Sequence, residues 1–304
     1  MRIVFLTGIW PPDVGGPATH GPEFSRFLVE RGHQVVVLTM GDGEPAVTPC
    51  KVVVVSRRSP FPVRYGRLAF GAARWARTAD LVYATATYAA ASFASSVSRT
   101  PLVAKLVSDP AYERARRYGL FDGTLEEFQE PGGAKIEALK RARSQALRRA
   151  GAIVVPSAYL AAITSTWGLD RSRVSVLPNP APDIDVVAEP LEPGTFVFVG
   201  RLTRAKALDV AIAAIARVPR ARLVLVGDGP DRDWLQGLAR DSGASDRIEF
   251  RGSLPREDAL AVVAGSEAGL LTSAWENFPH SAVEALAVGV PVVATAVGGV
   301  PEIV

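Results

Sequence analysis

Residues 195–207 read Thr195-Phe196-Val197-Phe198-Val199-Gly200-Arg201-Leu202-Thr203-Arg204-Ala205-Lys206-Ala207. The first five are β-branched or aromatic, side chains that suit a pleated, buried strand. Gly200 ends that run, three cations follow, and a helical pattern extends from Ala207 to Ala216. A strand passing through a glycine into a helix start is the repeating unit of open parallel α/β sheets. The same segment gathers free backbone N–H groups at a helix start, arginines able to grip oxygens bidentately and a lysine point charge. Together these suit a pyrophosphate. On this segment alone, surface cations beside a turn are an equally good reading.

The alternation continues on both sides. Toward the C terminus, Ala221–Val226, Ile248–Arg251, Ala268–Leu271 and Val292–Thr295 are strand candidates, with helical patterns such as Ser281–Ala287 between them. Toward the N terminus, strands are predicted at Arg2–Thr7, Gln34–Met40, Lys51–Ser56, Asp80–Ala84, Pro101–Leu106, Ala152–Pro156 and Val174–Leu177. Apolar strands alternating with amphipathic helices predict parallel sheets covered on both faces. The stretch from Pro178 to Pro193, which also holds Pro180, Pro182 and Pro190, breaks the pattern and reads as a linker. With 304 residues to divide, two cores are the natural expectation. The predicted organisation is a first α/β domain over 1–178, a linker over 179–194 and a second α/β domain over 195–304.

Charge separates the halves. Residues 1–150 hold 21 Lys and Arg against 13 Asp and Glu, and residues 151–304 hold 13 against 18, giving +8 and −5. A basic first half suits an anionic surface or acceptor. No arginine-rich tract interleaved with aromatics, helix-turn-helix spacing or zinc finger accompanies the charge, so nucleic acid is not a predicted partner. The helical stretch Lys135 to Arg149 carries Lys135, Lys140, Arg141, Arg143, Arg148 and Arg149 beside Ile136, Leu139 and Leu147. Peripheral contact with an anionic membrane is one reading; a solvated helix packed on the sheet is the other. Two uncharged stretches, Leu81–Ser98 and Ala285–Val300, approach the roughly 20 residues of a spanning helix. The first is mostly Ala, Ser and Thr, and the second contains Pro291 with Gly289, Gly298 and Gly299, so both read as strand plus helix. Cys50 is the only cysteine. It has no companion for a disulfide or a Cys-based zinc site, which fits a reducing, cytoplasmic setting.

Loops after parallel strands are where ligands bind. Leu223–Val226 ends in Gly227-Asp228-Gly229-Pro230, where small residues let a ligand approach the backbone or simply make a tight turn. The first loop, Gly8 to Gly16, is also glycine-rich, and neither loop has the spacing of a dinucleotide fingerprint. Trp275-Glu276-Asn277-Phe278-Pro279-His280-Ser281-Ala282-Val283-Glu284 follows a strand and enters a helix at Pro279. Glu276 then lies in the loop and Glu284 on the first helical turns. Paired carboxylates there suit sugar and ribose hydroxyls, although two glutamates near a helix start are also commonplace. Asp183-Ile184-Asp185 and Asp231-Arg232-Asp233 have an Asp-x-Asp pattern, but one lies in the Pro-rich stretch and the other opens a helix. No metal is therefore expected, with cations and helix dipoles neutralising a leaving diphosphate instead.

These residues resemble the retaining glycosyltransferases of family 4, which have the two-domain GT-B fold. The resemblance spans nearly the whole chain: Gly15-Gly16, Gly32-His33-Gln34-Val35, Pro156-Ser157, Pro178-Asn179, Gly200-Arg201-Leu202 with Lys206, Val226-Gly227-Asp228-Gly229, Glu276 to Glu284, and Gly289-Val290-Pro291-Val292. It implies two Rossmann-like domains facing each other across a cleft. The implied donor is a nucleoside-diphosphate sugar, the acceptor a glycan or lipid-linked molecule, and no cofactor is involved. Arg201 and Lys206 match the pair that grips the donor diphosphate, Glu284 the ribose-binding glutamate, and Glu276 the glutamate beside the transferred sugar. Gly16 matches the first-loop glycine facing the diphosphate. Gly227 falls in the matching glycine loop, Phe278 borders the sugar and phosphates, and Leu254 lies where the base packs.

Two departures accompany the match. Many members carry a histidine after the fifth strand, where this chain has Lys105-Leu106-Val107-Ser108-Asp109; Asp109 is the candidate for a catalytic part there. The sequence ends at Val300-Pro301-Glu302-Ile303-Val304, whereas members continue into a helix that crosses back to the first domain, so the resemblance implies a second domain truncated at its C terminus. A sugar-nucleotide epimerase and a noncatalytic nucleotide-sugar-binding module are the alternatives on the same fold.

Overall fold

A computed structural model describes residues 1–13, 16–181 and 184–304, and divides them into two compact units, Met1–Leu177 and Pro178–Val304. The first runs β1 (Arg2–Leu6), α1 (Gly16–Glu30), β2 (Gln34–Gly41), β3 (Lys51–Ser56), α2 (Phe61–Ala76), β4 (Leu81–Ala84), α3 (Tyr88–Ser98), β5 (Leu102–Lys105), α4 (Pro110–Arg117), α5 (Leu125–Gln129), α6 (Ala134–Leu147), β6 (Ala152–Val155), α7 (Ala158–Thr164) and β7 (Val174–Val176). Its sheet has the order β3-β2-β1-β4-β5-β6-β7, and every pairing is parallel. Central β1 pairs on both sides, Ile3 opposite Val35 and Leu81. Phe5 and Leu6 are fully buried, as a central strand covered on both faces requires. The helices begin where polar caps stand: Asp109 accepts from the backbone of Ala111 and Tyr112, Thr124 and Glu127 form a capping box, and Ser157 accepts from Leu160 N.

The second unit runs β8 (Thr195–Val199), α8 (Leu208–Arg217), β9 (Arg222–Val226), α9 (Arg232–Asp241), β10 (Ile248–Gly252), α10 (Arg256–Ala264), β11 (Ala268–Leu271), α11 (His280–Ala287) and β12 (Val292–Ala294). Its parallel sheet has the order β10-β9-β8-β11-β12. Strand alternation splits the core into two layers. Phe198, Leu223 and Leu225 pack with Leu208, Ile212, Ile215 and Leu235 of α8 and α9 on one face. Val197, Val224 and Val226 pack with Val262, Val263 and Ala285 of α10 and α11 on the other.

The twelve strands of the described residues fall on the twelve stretches expected from the sequence, within a residue or two at their ends. Both uncharged stretches resolve as proposed: Leu81–Ser98 into β4 and α3, and Ala285–Val300 into the end of α11 and β12. Among the described residues no helix is long and apolar enough to cross a membrane. Residues 179–194, read from their prolines as a linker, group with the second unit, which begins at Pro178. There the backbone N–H of Glu189 donates to Ala261 O at 2.9 Å, and its carboxylate meets Arg251 at 2.7 Å. Prolines break periodicity without loosening a segment that has such partners.

Candidate active site

In the second sheet the chain proceeds outward from β8 through β9 to β10, then returns to the other side of β8 as β11. The switch point therefore lies between β8 and β11, where an open α/β sheet forms its ligand crevice. The two loops that leave it are residues 200–207 and 272–279, which carry Arg201, Lys206, Glu276 and Phe278. They are tied together by backbone: Ala274 N donates to Ala205 O at 2.9 Å, and Thr272 Oγ1 to Lys206 O at 3.0 Å.

Glu276 is the fixed point of this crevice. Its residue is 9% exposed, and its Oε1 pairs with Lys206 Nζ and accepts from Ser273 Oγ at 2.7 Å. Its carbonyl accepts from Gly299 N at 3.2 Å, while Thr295 Oγ1 donates to Ser273 O at 2.6 Å. The segment that follows β12 thus buttresses the loop. Of the three cations after β8, Lys206 is engaged by Glu276, and Arg204 lies 3.2 Å over the Trp234 ring with Asp231 at 3.6 Å. Arg201 stands exposed above the fully buried side chain of Leu202, which anchors the loop in the core.

Glu284 sits one to two turns into α11, where both Nε and Nη2 of Arg256 donate to its Oε1 at 3.1 and 2.8 Å. Phe278 is half-buried, and its carbonyl accepts from Nδ2 of the buried Asn179 at 3.4 Å. Leu254, after β10, packs on the β9–α10 core layer. Ser273, Arg256 and Asn179 were not singled out from the sequence as site residues. Only Asn179 had a signal there, as part of Pro178-Asn179.

Gly227 has a reason of its own to be glycine. Its φ is +135°, and an added Cβ would overlap the Gly200 carbonyl oxygen. Its N–H donates to Gly252 O at 2.8 Å, so that donor belongs to the fold. The small side chain here seats one loop on another, whatever it also admits.

In the first unit, Gly16 opens α1, and its neighbour Gly15 lies outside the described residues, as does Asp183 of the first Asp-x-Asp pattern. Asp109 has no exposed surface and caps α4, and its Oδ2 accepts from Arg143 Nη1 at 2.5 Å and from Gln129 Nε2 at 3.3 Å. Enclosed in this way, the carboxylate ties α4, α5 and α6 together. Burial pulls the Arg143 guanidinium below its usual range, with the Asp109 charge opposing. Lys105, at the end of β5, is also buried; desolvation lowers its ammonium pKa, and its Nζ stands 3.5 Å from His20 Nε2. The basic helix α6 is not a uniformly exposed cationic face, because Lys140 and Arg143 point inward with Leu147.

Two parallel α/β units, the second with cations and a buried glutamate at its switch point, define the glycosyltransferase class with the GT-B fold. The chain belongs to glycosyltransferase family 4: the model of that family matches residues 14–183, and that of glycosyl transferases group 1 matches residues 182–304. Glycogen synthase of Mycobacterium tuberculosis is 27% identical over 337 aligned positions, covering 100% of this chain and 80% of the relative. D-inositol 3-phosphate glycosyltransferase of Mycolicibacterium smegmatis is 35% identical over 157 positions, 46% of this chain and 36% of the relative. Among solved structures, Anabaena HepE with UDP and glucose superposes with a TM-score of 0.75 at 21% identity, covering 100% of this chain and 83% of that one. Sucrose-phosphate synthase of Thermosynechococcus elongatus gives 0.79 at 19% identity, with 99% and 82% covered. These two likenesses establish the fold.

Proposed function

We propose that the chain transfers a sugar from a nucleoside-diphosphate sugar to a hydroxyl of a glycan or lipid-linked acceptor, with retention at the anomeric carbon. The bond from that carbon to the diphosphate breaks as a bond to the acceptor oxygen forms on the same face, and the acceptor's hydroxyl proton passes to the departing diphosphate oxygen. Arg201 and Lys206 hold the diphosphate and stabilise the charge that develops on it as it leaves. Glu276 accepts from the hydroxyls of the sugar and orients Lys206, Glu284 binds the ribose, and Leu254 and Phe278 border the base and the phosphates. Gly16 and Gly227 let backbone approach the donor.

The observation that carries this reading is the meeting of Lys206 with the buried Glu276 at the β8/β11 switch point, a cation and a carboxylate suited to the two ends of a sugar diphosphate. The UDP and UDP-glucose bound in the HepE structures support a nucleotide-sugar donor. Transfer of labelled sugar from a panel of nucleotide sugars to an added glycan tests it. Arg201→Ala and Lys206→Ala should each lower kcat/KM by about 100-fold, the effect of removing one donor that stabilises a developing oxyanion. Unchanged kinetics in both, or conversion of free sugar nucleotide without acceptor, would reject the assignment.

A further inference from the structure

One cavity among the described residues lies away from the switch point, in the first unit alone. It has a volume of about 520 Å³ and is lined by α6 together with Gln129, Pro131, Thr166 and Trp167. This falls within the roughly 300–1,000 Å³ of small-molecule sites.

Its charge is what sets it apart. Lys140, Arg141, Arg143 and Arg148 line it against a single carboxylate, Glu137. Two of the cations are already matched: Lys140 Nζ meets Glu137 at 2.9 Å, and Arg143 meets Asp109 from behind the wall. Arg141 and Arg148 are exposed, with no ion pair to any described residue, so the cavity keeps an excess of two positive charges. Arg148 caps the C-terminal end of α6 seven residues after Arg141, which puts the two on one face about 10.5 Å apart along the axis. Ser144 and Gln145 lie between them, and Thr166 faces them across the cavity. Arg143, 7% exposed, stacks its guanidinium on the Trp167 ring, 4.0 Å from the centroid, and so forms part of the cavity wall, leaving Arg141 and Arg148 as the cations open to an anion.

We infer that this cavity is a binding site for a phosphorylated sugar or polyol, its phosphate held by Arg141 or Arg148 and its hydroxyls by Gln145, Ser144 and Thr166. Arginine suits phosphate because its planar fork meets two oxygens at once. The polar wall between the arginines suits hydroxyls rather than an acyl chain.

Calorimetry on the full chain, with mannose 6-phosphate, inorganic phosphate and free mannose as probes, tests the site. Saturable binding of mannose 6-phosphate is expected, weaker for inorganic phosphate and absent for mannose. Arg141→Ala/Arg148→Ala should weaken it by at least about tenfold, the effect of losing a charged hydrogen bond. Both side chains are exposed, so the variant should keep the wild-type circular dichroism and transfer activity without sugar phosphate. Arg201→Ala should leave the binding intact, which separates this cavity from the donor site. No binding at millimolar concentration, equal binding by mannose, or loss with Arg201→Ala instead would overturn the inference. Retention of phosphatidylglycerol vesicles that depends on Arg141 and Arg148, without sugar-phosphate binding, would also overturn it and assign the arginines to a lipid surface.

Discussion

Replacing Asp109 by alanine should lower the stability of the first unit. Two losses coincide. The α4 N-cap disappears, typically about 1 kcal/mol, and Arg143, whose side chain is 4% exposed, keeps its charge with no carboxylate beside it. Breaking one side of a buried pair costs about 3–5 kcal/mol. Both losses pass through one carboxylate and are not simply additive, so about 4 kcal/mol is the working figure. For a unit of this size each kcal/mol moves the midpoint by roughly 2–4 °C, which predicts a fall of about 10 °C. Thermal unfolding followed by circular dichroism, with a transfer assay well below the lowered midpoint, separates the causes. Asp109→Asn should lose less, because an amide oxygen still caps α4. Asp109→Leu/Arg143→Met, which removes both charges, should recover most of the loss. If Asp109→Ala keeps the wild-type midpoint but loses transfer, the enclosed-carboxylate reasoning is wrong and the residue acts on substrate.

Gly227→Ala should lower the unfolding midpoint of the second unit by several degrees and reduce soluble yield, since the new Cβ collides with the Gly200 carbonyl at a φ unsuited to alanine; a wild-type midpoint would refute this. Glu284→Gln should weaken donor binding by about tenfold in calorimetry, the value of a charged hydrogen bond to ribose, with its fold unchanged; equal affinity would remove Glu284 from the site. Lys105 is depressed by burial, so between its folded pKa and the unfolded value of about 10.4 the unfolded chain binds more protons. Stability therefore rises with pH across that window and loses the gain as pH falls below it. Urea unfolding of wild type and Lys105→Met at several pH values should show the slope in the first and a flatter curve in the second.

The alternation of apolar strands and helices was enough to locate the sheets, because strands such as Leu223–Val226 are buried on both faces and read as unbroken apolar runs. The candidate site was legible in parts. Lys206 and Glu276 each stand out beside a strand end, but their meeting depends on β11 returning next to β8, a crossover that local pattern does not encode. Arg256 could not be paired with Glu284 for the same reason, being 28 residues away. Asp109 is ambiguous in the sequence because a polar residue just past a strand end looks the same whether it faces substrate or closes a helix cap. The deciding partner, Arg143, is 34 residues on and looked like one more cation of a basic helix. Gly227 invited a ligand reading because the backbone that fills its missing side-chain space comes from the neighbouring strand's loop.

The way Glu189 fastens onto the second unit bears on how that unit can be isolated. A cut placed by sequence periodicity, just before Thr195, would strip the Ala261 carbonyl of its donor and Arg251 of the Glu189 carboxylate. It would also bare Gly265, against whose Cα the Glu189 carbonyl is seated so closely that no side chain would fit between them. A fragment begun at Pro178 keeps this strap and the Asn179 amide that meets Phe278. The prolines that read as a linker in the sequence are better treated as the outer seam of the second unit.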